Sequence, residues 1–269
     1  MRRSGRWKVG ALALLVAACA VQPAGDLDLS AYELVDLTHP FDAQTVYWPT
    51  SPAGFQLDTL AHGMTEGGWF YASNAFSTPE HGGTHLDAPL HFAQGQAAAD
   101  EVPLERLVAR AVVIDITAQS AENPDYTLTV EDVAAFESDH GTIDEGTIVL
   151  LRTGWSRYWP DRETYLGDDT PGDASNLHFP SYGEAAARLL VEERRVAALG
   201  ADVASIDIGA STDFAVHRVA GAAGVPGFEN LTSLDRVPPR GAFVVALPMK
   251  IAGGSGGPLR AIALVPRSR

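Results

Sequence analysis

Residues 81–92 read HGGTHLDAPLHF and gather three of the eight histidines of this 269-residue chain within twelve positions. His81, His85, Asp87 and His91 all stand at odd positions, so an extended backbone would direct their side chains to one face. Pro89 excludes a regular helix or a central strand across the stretch, which predicts a structured loop or a sheet edge. A face so rich in polar groups indicates ligand binding, because faces directed at a core are normally apolar.

The donor types in this stretch favour a divalent metal ion. Imidazole nitrogens bind Zn, Mn or Fe, and a carboxylate can bridge two ions. The residues alone therefore indicate His81, His85 and Asp87 as ligands. The competing interpretation treats these histidines as polar groups of a surface loop beside two glycines. That interpretation suits a single histidine, but it does not explain four donors on one side of twelve residues.

A second set of candidate donors lies far along the chain. Asp213 and His217 share one face of a predicted helix, and Glu229 follows in the sequence PGFENL. Asp213 alone is better explained as a helix N-cap, and His217 alone as a histidine on a helix surface. Glu229 stands in an apolar setting, where a buried carboxylate requires a charged partner.

Residues 1–18 are predicted to be a signal peptide. Four basic side chains among residues 1–8 precede an apolar run at 9–18, which is shorter than the roughly 20 residues of a membrane-spanning helix. The run ends in VAAC, which resembles a bacterial lipobox with Cys19 as the lipidated residue; an ordinary cleaved signal with an incidental cysteine is the alternative. With residues 19–31 as a tether, this predicts an exported protein anchored by lipid at the periplasmic side of the outer membrane or at the cell surface.

The remaining residues, 32–269, suit one sizeable domain, because 46% of the chain is hydrophobic and no repeat or linker interrupts it. The net charge of -15 argues against nucleic acid or an anionic lipid surface as a partner of this domain. Cys19 is the only cysteine. A lipidated Cys19 leaves no thiol, so any metal site must consist of His, Asp and Glu side chains.

The hydrophobic pattern predicts a mixed α/β domain that is richer in strands than in helices. Ser181 and Glu184 form a capping-box signature, which predicts that the longest helix begins there. The predicted strands lie at 32–38, 45–48, 69–77, 111–117, 147–152, 203–208, 242–250 and 259–265. The predicted helices lie at 129–138, 182–199 and 213–222.

Several motifs together resemble the cyclase family of metal-dependent hydrolases, which includes bacterial kynurenine formamidases and isatin hydrolases. Residues 81–92 match the family signature HxGTHxDxPxHF without a departure. The other matching segments are VDLTHP at 35–40, LLRTGW at 150–155, DFAVHR around His217 and ENLTSLDRVP at 229–238. The resemblance covers roughly residues 32–265 and implies a single strand-rich domain of the swivelling β/β/α type.

The resemblance also implies a role for each matching donor. His81, His85 and Asp87 are expected to bind a first metal, with Asp87 reaching a second one. His217 is expected to bind the second metal, and Glu229 to bridge the two. The cofactor is then one or two divalent ions, either Zn or Mn.

Two further residues acquire roles from the resemblance. His91 is expected to be the general acid/base, and Trp48 is expected to stack on the aromatic ring of the substrate. A bound metal would lower the pKa of a water molecule to about 7 and polarise the carbonyl. His91 would then deliver a proton to the leaving nitrogen. The predicted reaction is hydrolysis of an aromatic amide by an arylformamidase-like enzyme of the kynurenine formamidase type.

Two other classes of protein compete with this prediction. Residues 253–257, GGSGG, formally satisfy the G-x-S-x-G motif of serine hydrolases, but Pro258 and a strand-like segment follow where that motif requires a helix. The expected structure is therefore a flexible turn, which could line the site. The second alternative is a surface-anchored metal-binding protein without catalysis, which would need neither His91 nor an aromatic pocket.

The substrate is the least determined part of the prediction. N-formylkynurenine arises in the cytoplasm during tryptophan catabolism, so an exported enzyme is poorly placed to meet it. An isatin hydrolase-like activity on a cyclic amide or a lactone is the alternative. Trp48, Trp69, Phe70 and Tyr71 are candidates to wall an aromatic pocket. We expect a small aromatic amide or lactam as partner, no nucleic acid, membrane contact only through the lipid, and a homodimer or higher homo-oligomer.

Overall fold

Twelve β-strands and six short α-helices make up residues 28–267, the part of the chain that this computed structural model describes. The signal peptide, Cys19 and most of the predicted tether lie outside the described residues. The last tether residues, Leu29–Ala31, form a 3-10 turn that leads into the first strand. No helix within residues 28–267 is long and apolar enough to cross a membrane.

The strands are β1 (Tyr32–Asp36), β2 (Gln56–Met64), β3 (Phe70–Ser77), β4 (His85–Asp87), β5 (Val108–Asp115), β6 (Thr127–Leu128), β7 (Ile148–Arg152), β8 (Ser181–Tyr182), β9 (Ala198–Ala201), β10 (Gly227–Glu229), β11 (Arg240–Pro248) and β12 (Gly256–Pro266). The helices are α1 (Leu104–Leu107), α2 (Thr117–Glu122), α3 (Val130–His140), α4 (Arg162–Leu166), α5 (Glu184–Arg188) and α6 (Ala215–Ala222). The structure thus confirms the predicted mixed α/β class.

Eight strands form one sheet in the order β1-β12-β11-β5-β7-β9-β10-β4. The long strand β12 pairs with β1 through residues 262–266 and with β4 through residues 256–258. Because β4 also pairs with β10, the sheet closes on itself as a barrel of seven strands. The neighbours β5, β7, β9 and β10 are parallel. This strand-rich barrel confirms the fold that the family resemblance implies.

The central strands bury both of their faces, as their uninterrupted apolar runs predict. On β5 and β7, Val113 and Leu150 belong to the cluster inside the barrel. Their neighbours Val112 and Leu151 belong to a second cluster between the sheet and the helices. Full burial of each such side chain contributes about 1.5–3 kcal/mol. Two apolar layers therefore fix the register of these strands.

The helix predicted at 182–199 is too long, since only residues 184–193 are helical. Residues 181–182 form a short strand, α5 spans one turn, and a π-helical segment follows at Leu189–Glu193. The Ser181 hydroxyl donates to the carbonyl of Ser205 instead of capping a helix. Residues 198–201 are fully buried as β9 between β7 and β10. The strand predicted at 203–208 is also wrong, since those residues form the loop that follows β9.

Two shorter predictions need correction as well. Residues 45–48 are not a strand but a loop. The helix predicted at 213–222 begins at Ala215, and its N-cap residue is Phe214 in the left-handed region, so Asp213 is not the N-cap. Asp213 is exposed and lies beside Arg218. The strand predicted at 69–77 is confirmed as β3, and it pairs with the unpredicted β2 in a separate hairpin.

Candidate metal centre

The seam where the barrel closes holds the central part of residues 81–92. His85 on β4 lies opposite Glu229 of β10 on one side and Pro258 of β12 on the other. Leu86 is completely buried in the barrel core, so the alternation of a strand directs His85 and Asp87 to the opposite face. Of the two predicted possibilities, the sheet edge is wrong, whereas the residues on either side of β4 form a structured loop. A central strand is compatible with Pro89 because β4 ends at Asp87, and Pro89 begins a 3-10 turn.

The two glycines of this segment allow it to approach the body of the domain closely. Gly83 has a φ of 59°, and a Cβ atom there would collide with the ring of Phe41. A Cβ atom on Gly82 would collide with the ring of Tyr47. The Gly83 carbonyl accepts hydrogen bonds from Nδ1 of His85 at 2.9 Å and from the Asn230 amide at 2.8 Å. Close packing here fixes the backbone between the donors.

All five predicted metal-binding side chains meet at this seam. They form two overlapping groups that share Asp87, namely His81, His85 and Asp87, and Asp87, His217 and Glu229. Oδ1 of Asp87 lies 2.5 Å from Nδ1 of His81 and 3.1 Å from Nε2 of His85. Its Oδ2 atom lies 2.9 Å from Nε2 of His217, which is 3.1 Å from Oε1 of Glu229. Asp87 therefore belongs to both groups and directs one carboxylate oxygen at the other members of each.

The charges of this cluster are strongly coupled. Burial opposes ionisation of Asp87, but His85 and the hydrogen bonds from His217 and His81 hold its pKa well below the usual value. Burial would lower the pKa of His85, but Asp87 and Glu229 outweigh it and raise that pKa to about 9. Burial likewise opposes protonation of His217, whose pKa its three carboxylate neighbours raise well above normal. The site therefore keeps Asp87 ionised and favours positive charge beside it.

The hydrogen bonds around the imidazoles fit a metal ion at this position. His85 donates Nδ1–H to the Gly83 carbonyl, and His217 donates Nδ1–H to Oδ2 of Asp207 at 2.6 Å. In each ring the other nitrogen, Nε2, then faces the buried carboxylates. Metal-binding histidines in proteins are held in this way by a partner on the outer nitrogen. The donor set, imidazole nitrogen with carboxylate oxygen, suits Zn and Mn.

Sequence reasoning missed Asp207. Its carboxylate accepts from the backbone N–H groups of Val216 and His217 as well as from the His217 ring. Asp207 thus provides acceptors for the backbone N–H groups at the start of α6, and it orients His217, which lies on that helix. The only signal in the sequence is an acidic residue within the apolar run VASIDIGA, because a buried acid requires a partner.

A cavity of about 270 Å³ opens onto the cluster. Its walls are mostly apolar and include Val46, Tyr47, Trp48, Phe92, Ala204 and Phe214. The Trp48 ring meets Phe179 edge-on and Phe214 at a tilt, which fixes it in the wall. The other predicted wall residues, Trp69, Phe70 and Tyr71, do not line this cavity, since they lie at the exposed hairpin.

His91 lies at the edge of the same cavity. Its ring stacks on His81 with centroids 3.8 Å apart and an interplanar angle of 19°. Desolvation by the cavity walls lowers the pKa of His91 to about 4, although part of its ring remains accessible to solvent. The four candidate donors of the 81–92 segment, His81, His85, Asp87 and His91, thus converge on one site. They do not lie along one extended strand, because turns at both ends of β4 bring them together.

Comparison with known proteins agrees with this geometry. Residues 35–208 match the family described as "Putative cyclase". An isatin hydrolase of Roseibium aggregatum is 34% identical over 209 residues, which are 75% of this chain and 78% of that protein. A kynurenine formamidase of Sphingopyxis alaskensis is 30% identical over 227 residues, covering 84% and 95% of the two chains.

Solved structures show the same fold. An isatin hydrolase bound to the product analogue thioisatinate superposes with a TM-score of 0.81 at 29% identity, over 88% of this chain and 94% of that one. Isatin hydrolase A of Ralstonia solanacearum has a TM-score of 0.79 at 36% identity, over 88% and 93% of the two chains.

The shared position of Asp87 leads to a testable expectation. Replacing Asp87 by Asn removes a negative oxygen from both donor groups, so affinity for Zn²⁺ or Mn²⁺ should fall by more than about 100-fold, the upper end for loss of an outer hydrogen bond to a ligand. Isothermal titration calorimetry measures this change. Asp213→Asn, on an exposed residue, is the matched control and should bind as the wild type does. An Asp87→Asn protein with unchanged affinity would contradict the assignment of this centre.

Proposed function

The chain belongs to the cyclase family of metal-dependent hydrolases, and on that premise we propose that it cleaves a carbon–nitrogen bond of an aromatic amide. The observation that carries this proposal is one juxtaposition. Five side chains with nitrogen or oxygen donors, four of them buried, lie at the base of a cavity with aromatic walls. A cavity of about 270 Å³ suits a substrate with one or two rings.

We assign the donors as follows. His81, His85 and Asp87 would hold one divalent ion, Zn or Mn, and Asp87, His217 and Glu229 would hold a second. A bound ion supplies a water molecule of lowered pKa and polarises a carbonyl oxygen. The protein contributes the rigid frame for this chemistry, because β4, β10 and α6 fix the donors from three directions.

The remaining residues of the cavity would bind the substrate and transfer protons. Trp48 offers an aromatic face in the wall, on which a substrate ring can stack. His91 lies beside the donors and faces the cavity. An amide nitrogen is a poor leaving group until it is protonated. His91, whose low pKa keeps it neutral near pH 7, is suited to accept a proton from the attacking water and deliver it to that nitrogen.

Two substrate types fit the proposal, and a different observation supports each. The kynurenine formamidase of Sphingopyxis alaskensis matches this chain over 95% of its own length, which supports an N-formylated arylamine. The isatin hydrolases reach a higher identity and a TM-score of up to 0.81, which supports a cyclic aromatic amide. Both reactions hydrolyse an amide next to an aromatic ring, so the same catalytic groups serve either one.

The role of His91 can be tested directly. His91→Ala should lower kcat/KM by about 10²- to 10⁴-fold, the usual contribution of a general acid or base, on N-formylkynurenine or isatin, whichever the wild type hydrolyses. Metal content should not change, and His140→Ala, an exposed histidine at the end of α3, should retain full activity. An active His91→Ala protein would refute the catalytic role and favour metal binding without this proton transfer. A metal-loaded wild type that hydrolyses neither compound would refute both substrate candidates.

We also propose that the protein is a homodimer held through the β2–β3 hairpin. The hairpin contacts itself rather than the barrel sheet, and it carries seven large hydrophobic side chains that are more than half exposed: Leu57, Leu60, Met64, Trp69, Phe70, Tyr71 and Phe76. Residues 56–77 include only two charged side chains, Asp58 and Glu66, whereas 20% of the whole chain is charged. An exposed apolar arm of this kind is typical of a protein interface.

The size and charge of this arm favour a second copy of the chain as its partner. Seven such side chains, each half exposed, present about 700 Å², close to the roughly 800 Å² that each partner contributes to a stable interface. A net charge of -15 disfavours insertion of the arm into an anionic membrane. An isolated two-stranded hairpin is also only marginally stable in water, so pairing would stabilise it.

Disruption of the arm tests this proposal. The double variant Leu60→Glu/Trp69→Glu should convert a dimer to a monomer in sedimentation velocity while its Zn²⁺ affinity stays the same. Leu104→Glu, which alters an exposed leucine on α1, is the matched control and should remain dimeric. A wild-type protein that is monomeric at tens of micromolar, or a dimeric double variant, would refute the interface.

We further propose that residues 1–18 direct export and that Cys19 carries the lipid anchor. The basic start, the short apolar run and the VAAC sequence support this location. Cys19→Ala should move the protein from the membrane fraction to the soluble fraction and abolish labelling by a palmitate analogue. A wild-type protein that takes up no label in a bacterial host would contradict lipidation.

A further inference from the structure

The glycine-rich segment at 253–257 lies directly against the metal centre. The carbonyl of Ser255 accepts from the N–H of Ala88, one residue after β4. A Cβ atom on Gly254 would come within 2.7 Å of a Glu80 carboxylate oxygen, and one on Gly256 within 2.6 Å of the His81 ring. Only glycine allows such an approach. The segment is therefore shaped to contact Glu80 and His81, and it is not merely a flexible turn.

A chain of three polar groups joins this segment to the centre. Oγ of Ser255 donates to Oε2 of Glu80 at 2.6 Å, and the Ser255 N–H donates to the same oxygen at 3.0 Å. With its proton directed to Glu80, Oγ can only accept from Nε2–H of His81 at 2.9 Å. Nε2 of His81 is thus the protonated nitrogen. Nδ1 is then the nitrogen that faces Asp87, on the side where an ion would bind.

We propose that Glu80 and Ser255 are positioning residues, which hold the tautomer and the ring orientation of His81 so that Nδ1 can bind the metal. This inference rests on the proposed function of the site. It completes a pattern, because the outer nitrogens of His85 and His217 are held by the Gly83 carbonyl and by Asp207.

Of the three histidine rings, that of His81 is held least by packing. Its side chain is 27% exposed, whereas those of His85 and His217 are 3% and 7% exposed. The packing that fixes the other two rings is therefore weaker around His81. Hydrogen bonds to its outer nitrogen replace that packing, and the carboxylate of Glu80 makes the Ser255 oxygen a better acceptor.

The same contacts raise a rival interpretation, in which Ser255, His81 and Asp87 form a serine-hydrolase triad. A nucleophilic serine must give its proton to the histidine, but the Ser255 hydroxyl donates to Glu80. Ser255 also does not line the cavity where a substrate would lie. β12 begins immediately afterwards at Gly256, whereas a nucleophile elbow leads into a helix. The geometry therefore favours the positioning role.

Metal titration of single variants separates these interpretations. Ser255→Ala removes the hydroxyl and should weaken Zn²⁺ binding by about 10- to 100-fold in calorimetry, and it should alter the visible absorption of the Co²⁺-substituted protein. Activity at saturating metal should fall only in part, because the other donors would still hold the ion. Glu80→Gln keeps an oxygen that accepts both Ser255 hydrogen bonds, so it should bind Zn²⁺ more tightly than Ser255→Ala does. Ser120→Ala deletes a buried hydroxyl that has no hydrogen-bond partner within the described chain and is the matched control.

The possible outcomes are distinct. Unchanged Zn²⁺ affinity and an unchanged Co²⁺ spectrum in Ser255→Ala would overturn the positioning role. Unchanged affinity together with complete loss of activity at saturating metal would instead establish a nucleophilic serine and overturn our proposal. A wild-type protein that binds no metal would refute the proposed function itself. Circular dichroism of each metal-free variant verifies that the fold is intact.

Discussion

Two carboxylates, Asp87 and Glu229, are buried side by side at the seam of a closed barrel. Burial of uncompensated negative charge is costly, so the surrounding structure must supply positive charge or hydrogen-bond donors. Three imidazole rings meet this requirement from one side. On the other side, the N–H of Ile206 donates to Glu229 at 2.8 Å. The position of the loop after β9, which contains Ile206, is thus tied to the need to compensate the buried charge.

The strand pairing that closes the barrel also brings the donors of the centre together. The strand β4 has only three residues, yet it completes the barrel by pairing with β10 and β12. Two of those three residues, His85 and Asp87, are donors of the centre. A ligand that binds only the folded state stabilises that state in proportion to its concentration and affinity. Any metal bound here would accordingly stabilise the barrel at its shortest strand.

The residues that the sequence singles out as donors are brought together by the structure, and they can be singled out because the signal lies in short stretches of sequence. The 81–92 segment concentrates imidazoles and a carboxylate, and Glu229 stands out as an acid among apolar residues. The uninterrupted apolar runs of β5 and β7 also predict buried strands correctly. In each case the decisive information lies within a few neighbouring residues.

The wrong predictions concern features that depend on contacts between residues far apart in the chain. Ser181 and Glu184 carry a valid capping signal, but Ser181 is used to bond Ser205, and tertiary burial turns residues 198–201 into a strand. Asp207 has only a weak local signal, an acid within an apolar run, and the role of Ser255 depends on a contact with His81 across 174 positions of the chain. Only one strand of the hairpin is predicted, β3, whereas β2 is interrupted by a bulge between Thr59 and Ala61. These features depend on contacts that no local pattern records.

The central claim is that hydrolysis depends on a divalent ion held by the shared Asp87 cluster. The most direct test is elemental analysis of the purified protein, combined with amide hydrolysis before chelation, after chelation and after addition of Zn²⁺ or Mn²⁺. We expect one or two ions per chain, matching the two donor groups, with activity lost on removal and restored on addition. A protein that hydrolyses its amide substrate equally well after its metal is shown to be gone would contradict this account.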